Sequence, residues 1–177
     1  MPFLLFLFFS LTSLHAYSTA DIQADYKAQN YERVCKNNGS FIHKDATSEE
    51  ILTMIGDACA RVDSLNPLAT ITKTLLLSPK SRESASYFMT LLLQKKLIYQ
   101  FMHDGVNLKN LRLPQTDHVL SIVFEHLVLN NYEKKEDKII ITTQTMQYHL
   151  WLSNDTPKRV YIDEYSNNVR VKQHWYL

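Results

Sequence analysis

Residues 78–105 read SPKSRESASYFMTLLLQKKLIYQFMHDG, an unbroken helical pattern marked at both ends. Ser78 can cap the first free N–H groups, and Pro79 sits where a missing N–H costs nothing. Gly105 suits the left-handed residue that closes a helix. Ala85, Phe88, Leu92, Lys96 and Tyr99 follow one stripe, and Met89, Leu91, Leu93, Leu97, Ile98 and Phe101 widen it past half the circumference. A helix that apolar is buried on several sides. Gln94, Lys95 and Lys96 form the expected wet strip. At about 1.5 Å per residue the helix is roughly 40 Å long, enough to run through a small domain, so the rest of the chain is expected to pack around it.

On its N-terminal side, Asn66-Pro67 starts a short helix over Leu68–Leu77. Before it, Thr47 with Glu50 makes a capping-box pattern, followed by Ile51, Leu52, Met54, Ile55, Ala58, Cys59 and Val62 at helical spacing. Another helix is expected over Thr19–Asn37, with Ile22, Tyr26, Ala28, Tyr31, Val34 and Cys35 as its apolar positions. The two form an antiparallel hairpin in this reading, which brings Cys35 within reach of Cys59.

On the C-terminal side, residues 106–115 are a loop, and Thr116 caps a fifth helix over Asp117–Asn131. A charged connector, Tyr132–Asp137, then changes the character of the chain. Its period becomes two over Lys138–Thr145, Met146–Ser153, Lys158–Tyr165 and Val169–Tyr176, with a turn at Asn154–Pro157. The expected fold class is α+β: an N-terminal bundle of about five helices over 17–131, then a small antiparallel meander of three to four strands over 138–177. Lys138–Ser153 is either one bent strand or two. Length favours a single domain over 17–177.

Residues 1–16 carry no charged side chain and a dense apolar run from Phe3 to Phe9. That is signal-peptide length, short for a membrane span, and Ala16 supplies a small residue for cleavage. The mature chain is therefore expected to be exported, periplasmic or extracellular, without a transmembrane segment. A retained anchor is the alternative, because no Lys or Arg precedes the apolar run. In an oxidising compartment Cys35 and Cys59 read as a disulfide.

The 177 residues are 45% hydrophobic and 21% charged, with 19 Lys and Arg against 18 Asp and Glu. Without a basic excess or a long run of one sign there is no electrostatic footprint for nucleic acid. Three glycines cannot supply a phosphate-binding loop, and no GxSxG, HExxH or SxxK pattern occurs. Asp117, His118, Glu125 and His126 share the fifth helix, and His103 and Asp104 end the fourth. Metal chelation by one helix needs ligands three or four apart, whereas the two histidines of the fifth helix are separated by about 12 Å of rise. No metal, cofactor or catalytic residue is expected. Asp163 and Glu164 are adjacent on a strand and point to opposite faces, which suits paired acid–base chemistry poorly.

The sheet carries the candidate binding residues. Alternation puts Met146, Tyr148, Leu150, Leu152, Val160, Ile162, Val169 and Val171 on the helix-facing side. It puts Trp151, Arg159, Tyr161, Tyr165, Arg170 and Tyr176 on the outer side, together with Lys172 and His174. Aromatic and arginine side chains together favour interfaces. The sequence thus favours an exported, non-catalytic module that binds another envelope protein through this face or a strand edge. The alternative is a cell-wall glycan-binding protein or hydrolase whose aromatic rings stack on sugars.

Overall fold

The computed structural model describes residues 16–44 and 47–177. The predicted leader lies outside the described residues but for Ala16. The elements are α1 (Thr19–Lys27), α2 (Tyr31–Lys36), a 3₁₀ turn (Asn38–Ser40), α3 (Glu49–Arg61), α4 (Leu68–Ile71), α5 (Pro79–Asp104) and α6 (Val119–Val128). Five strands follow: β1 (Glu133–Lys135), β2 (Lys138–Thr142), β3 (Gln147–Leu152), β4 (Val160–Ser166) and β5 (Val169–Tyr176). The class is α+β with the sheet last, one helix and one strand richer than the expected upper count. No helix among the described residues is long and apolar enough to cross a membrane.

The long helix forms as its sequence dictates. Ser78 Oγ accepts the Ser81 N–H at 3.0 Å, and Gly105 closes the helix at φ 70°. α5 packs against α3, α4, α6 and β3, burying Phe88, Leu91 and Ile98. Each such side chain contributes about 1.5–3 kcal/mol by leaving water. α3 comes close to α5 at Gly56, where a Cβ would stand 2.4 Å from Phe88 Cε2.

One part of the α5 reading is corrected. Gln94 and Lys95, expected on the wet strip, are 1% and 4% exposed, whereas Met89 and Leu93 of the apolar stripe face solvent. Polar partners from other elements explain the inversion. Gln94 accepts from Ser121 Oγ at 2.9 Å and donates to the Pro114 carbonyl, and Lys95 Nζ donates to Asn66 Oδ1 at 2.7 Å.

The helix expected over Thr19–Asn37 breaks in two, because Gln29 takes φ 59° and the Asn30 N–H turns back to the Asp25 carbonyl. α3 is capped by Ser48 rather than Thr47, whose hydroxyl donates to the Phe41 carbonyl instead. α6 starts from His118, whose Nδ1 accepts the Leu120 N–H, while Thr116 bonds to the Ser121 hydroxyl. α4 stops at Ile71, and Leu76–Ser78 are held by the Glu49 carboxylate, which accepts all three N–H groups. The sulfurs of Cys35 and Cys59 lie 2.05 Å apart with Cα atoms at 4.9 Å, a geometry that fits a disulfide.

The sheet is a meander in the order β1-β2-β3-β4-β5, antiparallel throughout. Lys138–Ser153 is two strands, turned at Thr143–Met146, where Thr143 and Met146 exchange hydrogen bonds. β1 falls in the charged connector. All three of its residues are exposed, so it has no apolar alternation by which to be seen. Asn167 and Asn168 adopt φ 49° and 62°, the left-handed pair that a two-residue hairpin needs and asparagine tolerates. Ile139, Ile141, Tyr148, Leu150, Val160 and Ile162 cover the core from the sheet side.

Candidate functional site

The outer sheet face assembles from three cross-strand rows. Trp151 pairs with Tyr161 and Tyr161 with Trp175; His149 pairs with Asp163 and Asp163 with Gln173; Gln147 pairs with Tyr165 and Tyr165 with Arg170. The Trp151 and Tyr161 rings stack with centroids 4.2 Å apart and planes 7° from parallel. Neighbouring strands are about 4.8 Å apart, so rings stacked across them stand upright and turn their edges outward. Asp163 is buried beneath the stack, accepting from Trp151 Nε1 at 3.0 Å and Gln173 Nε2 at 2.7 Å. Arg170 Nη1 lies 3.6 Å from the same carboxylate. The Arg159 guanidinium covers the Trp175 ring at 4.7 Å, and His149 tilts against Tyr165 at 4.3 Å.

Five of the six candidate residues therefore share this face: Trp151, Arg159, Tyr161, Tyr165 and Arg170. The sixth does not. Tyr176 is 3% exposed and points to the helix side, as does buried His174. A register shift between Glu164 and Tyr165 explains this, because Glu164 pairs with Lys172 but Tyr165 pairs with Arg170, leaving Val171 extra. One inserted residue flips the alternation beyond it. Trp175 takes the outer position expected of Tyr176. Alternation counted back from Tyr176 could have placed it, had the bulge been known.

β5 is the last strand of the sheet, and among the described residues nothing bonds to the backbone groups of its outer edge. Val169, Val171 and Trp175 are 64%, 57% and 50% exposed. Arg170 and Lys172 are half exposed beside them. The edge is eight residues long, apolar and basic.

On the helix side, β5 meets a cluster that sequence reading did not assemble. Asp63, left-handed at φ 61° just past α3, accepts from Tyr176 Oη at 2.6 Å and His174 Nδ1 at 2.8 Å. His118 Nε2 lies 3.3 Å from it and Lys172 Nζ 3.8 Å. His174 Nε2 reaches Glu164 Oε1 at 2.5 Å. Burial lowers the His174 pKa, but hydrogen bonds to Asp63 and Glu164 and the Asp63 charge outweigh it, so the net shift is upward. Burial raises the Asp63 pKa, and its bonds to His118, His174 and Tyr176 reverse that and hold it well below the usual carboxylate range. With a carboxylate on each ring nitrogen, His174 has none free to take a proton from a substrate, and the cluster serves as a latch between α3, α6 and β5.

A cleft of about 420 Å³ opens over the latch, walled by Arg61, Asp117, His118, Glu164 and Lys172. It shares Asp57, Tyr87 and Asp117 with a groove of about 750 Å³ between α3 and α5. Tyr26 and Tyr87 donate to Asp57 and Asp117 there. The other metal candidates stay apart: His103 bonds to Asp104 at 2.8 Å and stacks on Tyr99, His126 contacts Asn131, and Glu125 is exposed. Among the described residues no group of three or more His, Cys, Asp or Glu side chains is arranged to hold a metal ion.

Comparison with protein-family models, with curated proteins and with solved structures finds nothing that matches this chain.

Proposed function

We propose that this protein is an exported, non-catalytic envelope protein whose C-terminal sheet binds an extended segment of another envelope protein along the β5 edge. The observation that carries the reading is that edge: eight residues with unbonded outer backbone groups and exposed Val169, Val171 and Trp175. Folded proteins normally blunt such an edge with charges, bulges or covering loops, because it templates strand addition. Here β1, at the opposite edge, is short and fully charged or polar. On β5 the bulge at Val171 sets exposed Val169 and Val171 beside half-exposed Arg170 and Lys172, so this edge is only partly charged.

Charge states what the added strand carries. Arg159, Arg170 and Lys172 lie on or beside β5, so a segment alternating acidic with apolar residues complements it. The aromatic rows support a protein partner over a glycan. A sugar stacks on an open ring face, and here Tyr161 lies face to face with Trp151 while the Trp175 ring is covered by Arg159. Upright rings with their edges outward make a ridged surface that side chains can interdigitate with. The leader-like first 16 residues and the Cys35–Cys59 pair support export.

A photo-crosslinking side chain placed at Val171 in native cell envelopes tests this, with Met89, exposed on α5, as the control position. A discrete adduct at Val171 that is absent at Met89, and lost in a Val169→Lys, Val171→Lys variant that still folds, is the expected result. Equal adducts from both positions, or none from Val171, overturn the reading.

A further inference from the structure

Lys95 lies in the middle of α5, 4% exposed, and Asn66 Oδ1 is its hydrogen-bond partner. Among the described residues no carboxylate pairs with it. Burying an ammonium without a counter-charge costs several kcal/mol, so such a group is normally paired or neutralised. Lys95 borders a cavity of about 270 Å³ between the α3–α4 connection and the end of β5. Arg159 is a second cation on that cavity, while Leu65, Trp175 and Tyr176 give it apolar and aromatic walls. Asp63 also borders it, but that carboxylate is occupied by His174 and Tyr176.

We propose that this cavity is a binding site for a small monocarboxylic acid with an aromatic or aliphatic body, its carboxylate held by Lys95 and Arg159. The chemistry follows from what is missing. An anion supplies the counter-charge that the Lys95 ammonium lacks, and Asn66 fixes one of its three donors, leaving the others to be directed at the ligand. At about 30 Å³ per water, the space equals roughly nine waters, which suits a molecule of about ten heavy atoms. Burial, with the neighbouring Lys96 charge, pushes the Lys95 pKa down to about 8, so the empty site still presents a protonated amine near neutrality. The site stands independently of strand addition at β5, although Trp175 and Arg159 border both.

Benzoate is the probe, and benzamide its neutral isostere. At pH 7 benzoate is expected to give saturable NMR shifts at the Trp175 indole N–H and at Lys95 ¹⁵Nζ, with benzamide at least tenfold weaker. Lys95→Met is expected to weaken benzoate at least tenfold. Should that variant fail to fold, the wild-type protein still decides the matter, because a bound carboxylate raises the Lys95 pKa above about 8 and benzamide leaves it unchanged. Equal affinities for the two probes, no saturable shift, or a Lys95 pKa unmoved at saturating benzoate overturns the proposal. The Val169→Lys, Val171→Lys variant is expected to keep the site, so failure here is distinguishable from failure of the β5 edge.

Discussion

His174 Nδ1 lies 2.8 Å from Asp63 Oδ2 across 111 residues of sequence, and this contact fastens the sheet to the helices. Its other ring nitrogen reaches Glu164 on the adjoining strand, so one imidazole joins β4 and β5 to the end of α3. Tyr176 and His118 converge on the same Asp63 carboxylate. The orientation of the β5 edge, and with it the proposed binding surface, depends on this latch.

The latch carries a pH signature. The His174 pKa is raised in the fold, so its contribution is fully present below the unfolded value of about 6.5 and is lost as pH rises through the folded one. His149 acts with the opposite sign, because burial lowers its pKa, so the comparison with His174→Gln isolates the effect. The gap in unfolding free energy between wild type and variant, from urea titration, is expected to be widest below about pH 6.5 and to shrink above it. A gap flat from pH 6 to about 9 contradicts the assignment.

Asp63→Asn keeps the shape of the side chain and tolerates the left-handed backbone, while it removes the charge and turns one of the two accepting oxygens into an NH2 donor. It leaves His174 with one carboxylate instead of two. The expected loss, by urea denaturation, is about 3 kcal/mol. A loss under about 1 kcal/mol would mean that the charge does not hold the latch.

At the crossing of α3 and α5, Gly56→Ala forces a Cβ against the buried Phe88 ring. The expected destabilisation is about 1–3 kcal/mol. Phe88→Leu in the same chain should make the alanine less harmful than it is beside phenylalanine. A double-mutant cycle with no coupling contradicts the close approach.

Glu49 accepts the N–H groups of Leu76, Leu77 and Ser78, and the Leu77 bond is the main reason its pKa falls to about 2. Its lowered pKa makes its contribution present above the unfolded carboxylate value and lost as pH falls toward about 2. Glu49→Ala, which removes the accepting oxygens, should speed amide exchange at Leu76 and Leu77 and leave the middle of α5 protected. Unchanged exchange at these two amides would falsify the assignment.

Local chemistry made much of this fold legible. Ser78, Pro79 and Gly105 bounded the long helix because capping depends on neighbours, and Cys35 met Cys59 because a helical hairpin limits where the pair can lie. What escaped depended on distant partners. Lys95 reads as a solvent-facing residue until Asn66 folds beside it, and Gln94 until Ser121 does. The outer face was legible at Trp151, Tyr161 and Tyr165, where alternation is regular, and failed at Tyr176, beyond a bulge that one inserted residue creates. The Asp63–His174 latch left no local pattern at all.

Hydrogen exchange along Val169–Tyr176 tests the central claim most directly, comparing the protein alone with its complex with the partner captured at Val171. The account predicts that the outward amides of β5 exchange fast in the free protein and become protected in an alternating pattern when the partner strand adds. Equal protection in both states, or protection that moves instead to the α3–α5 groove, would contradict it.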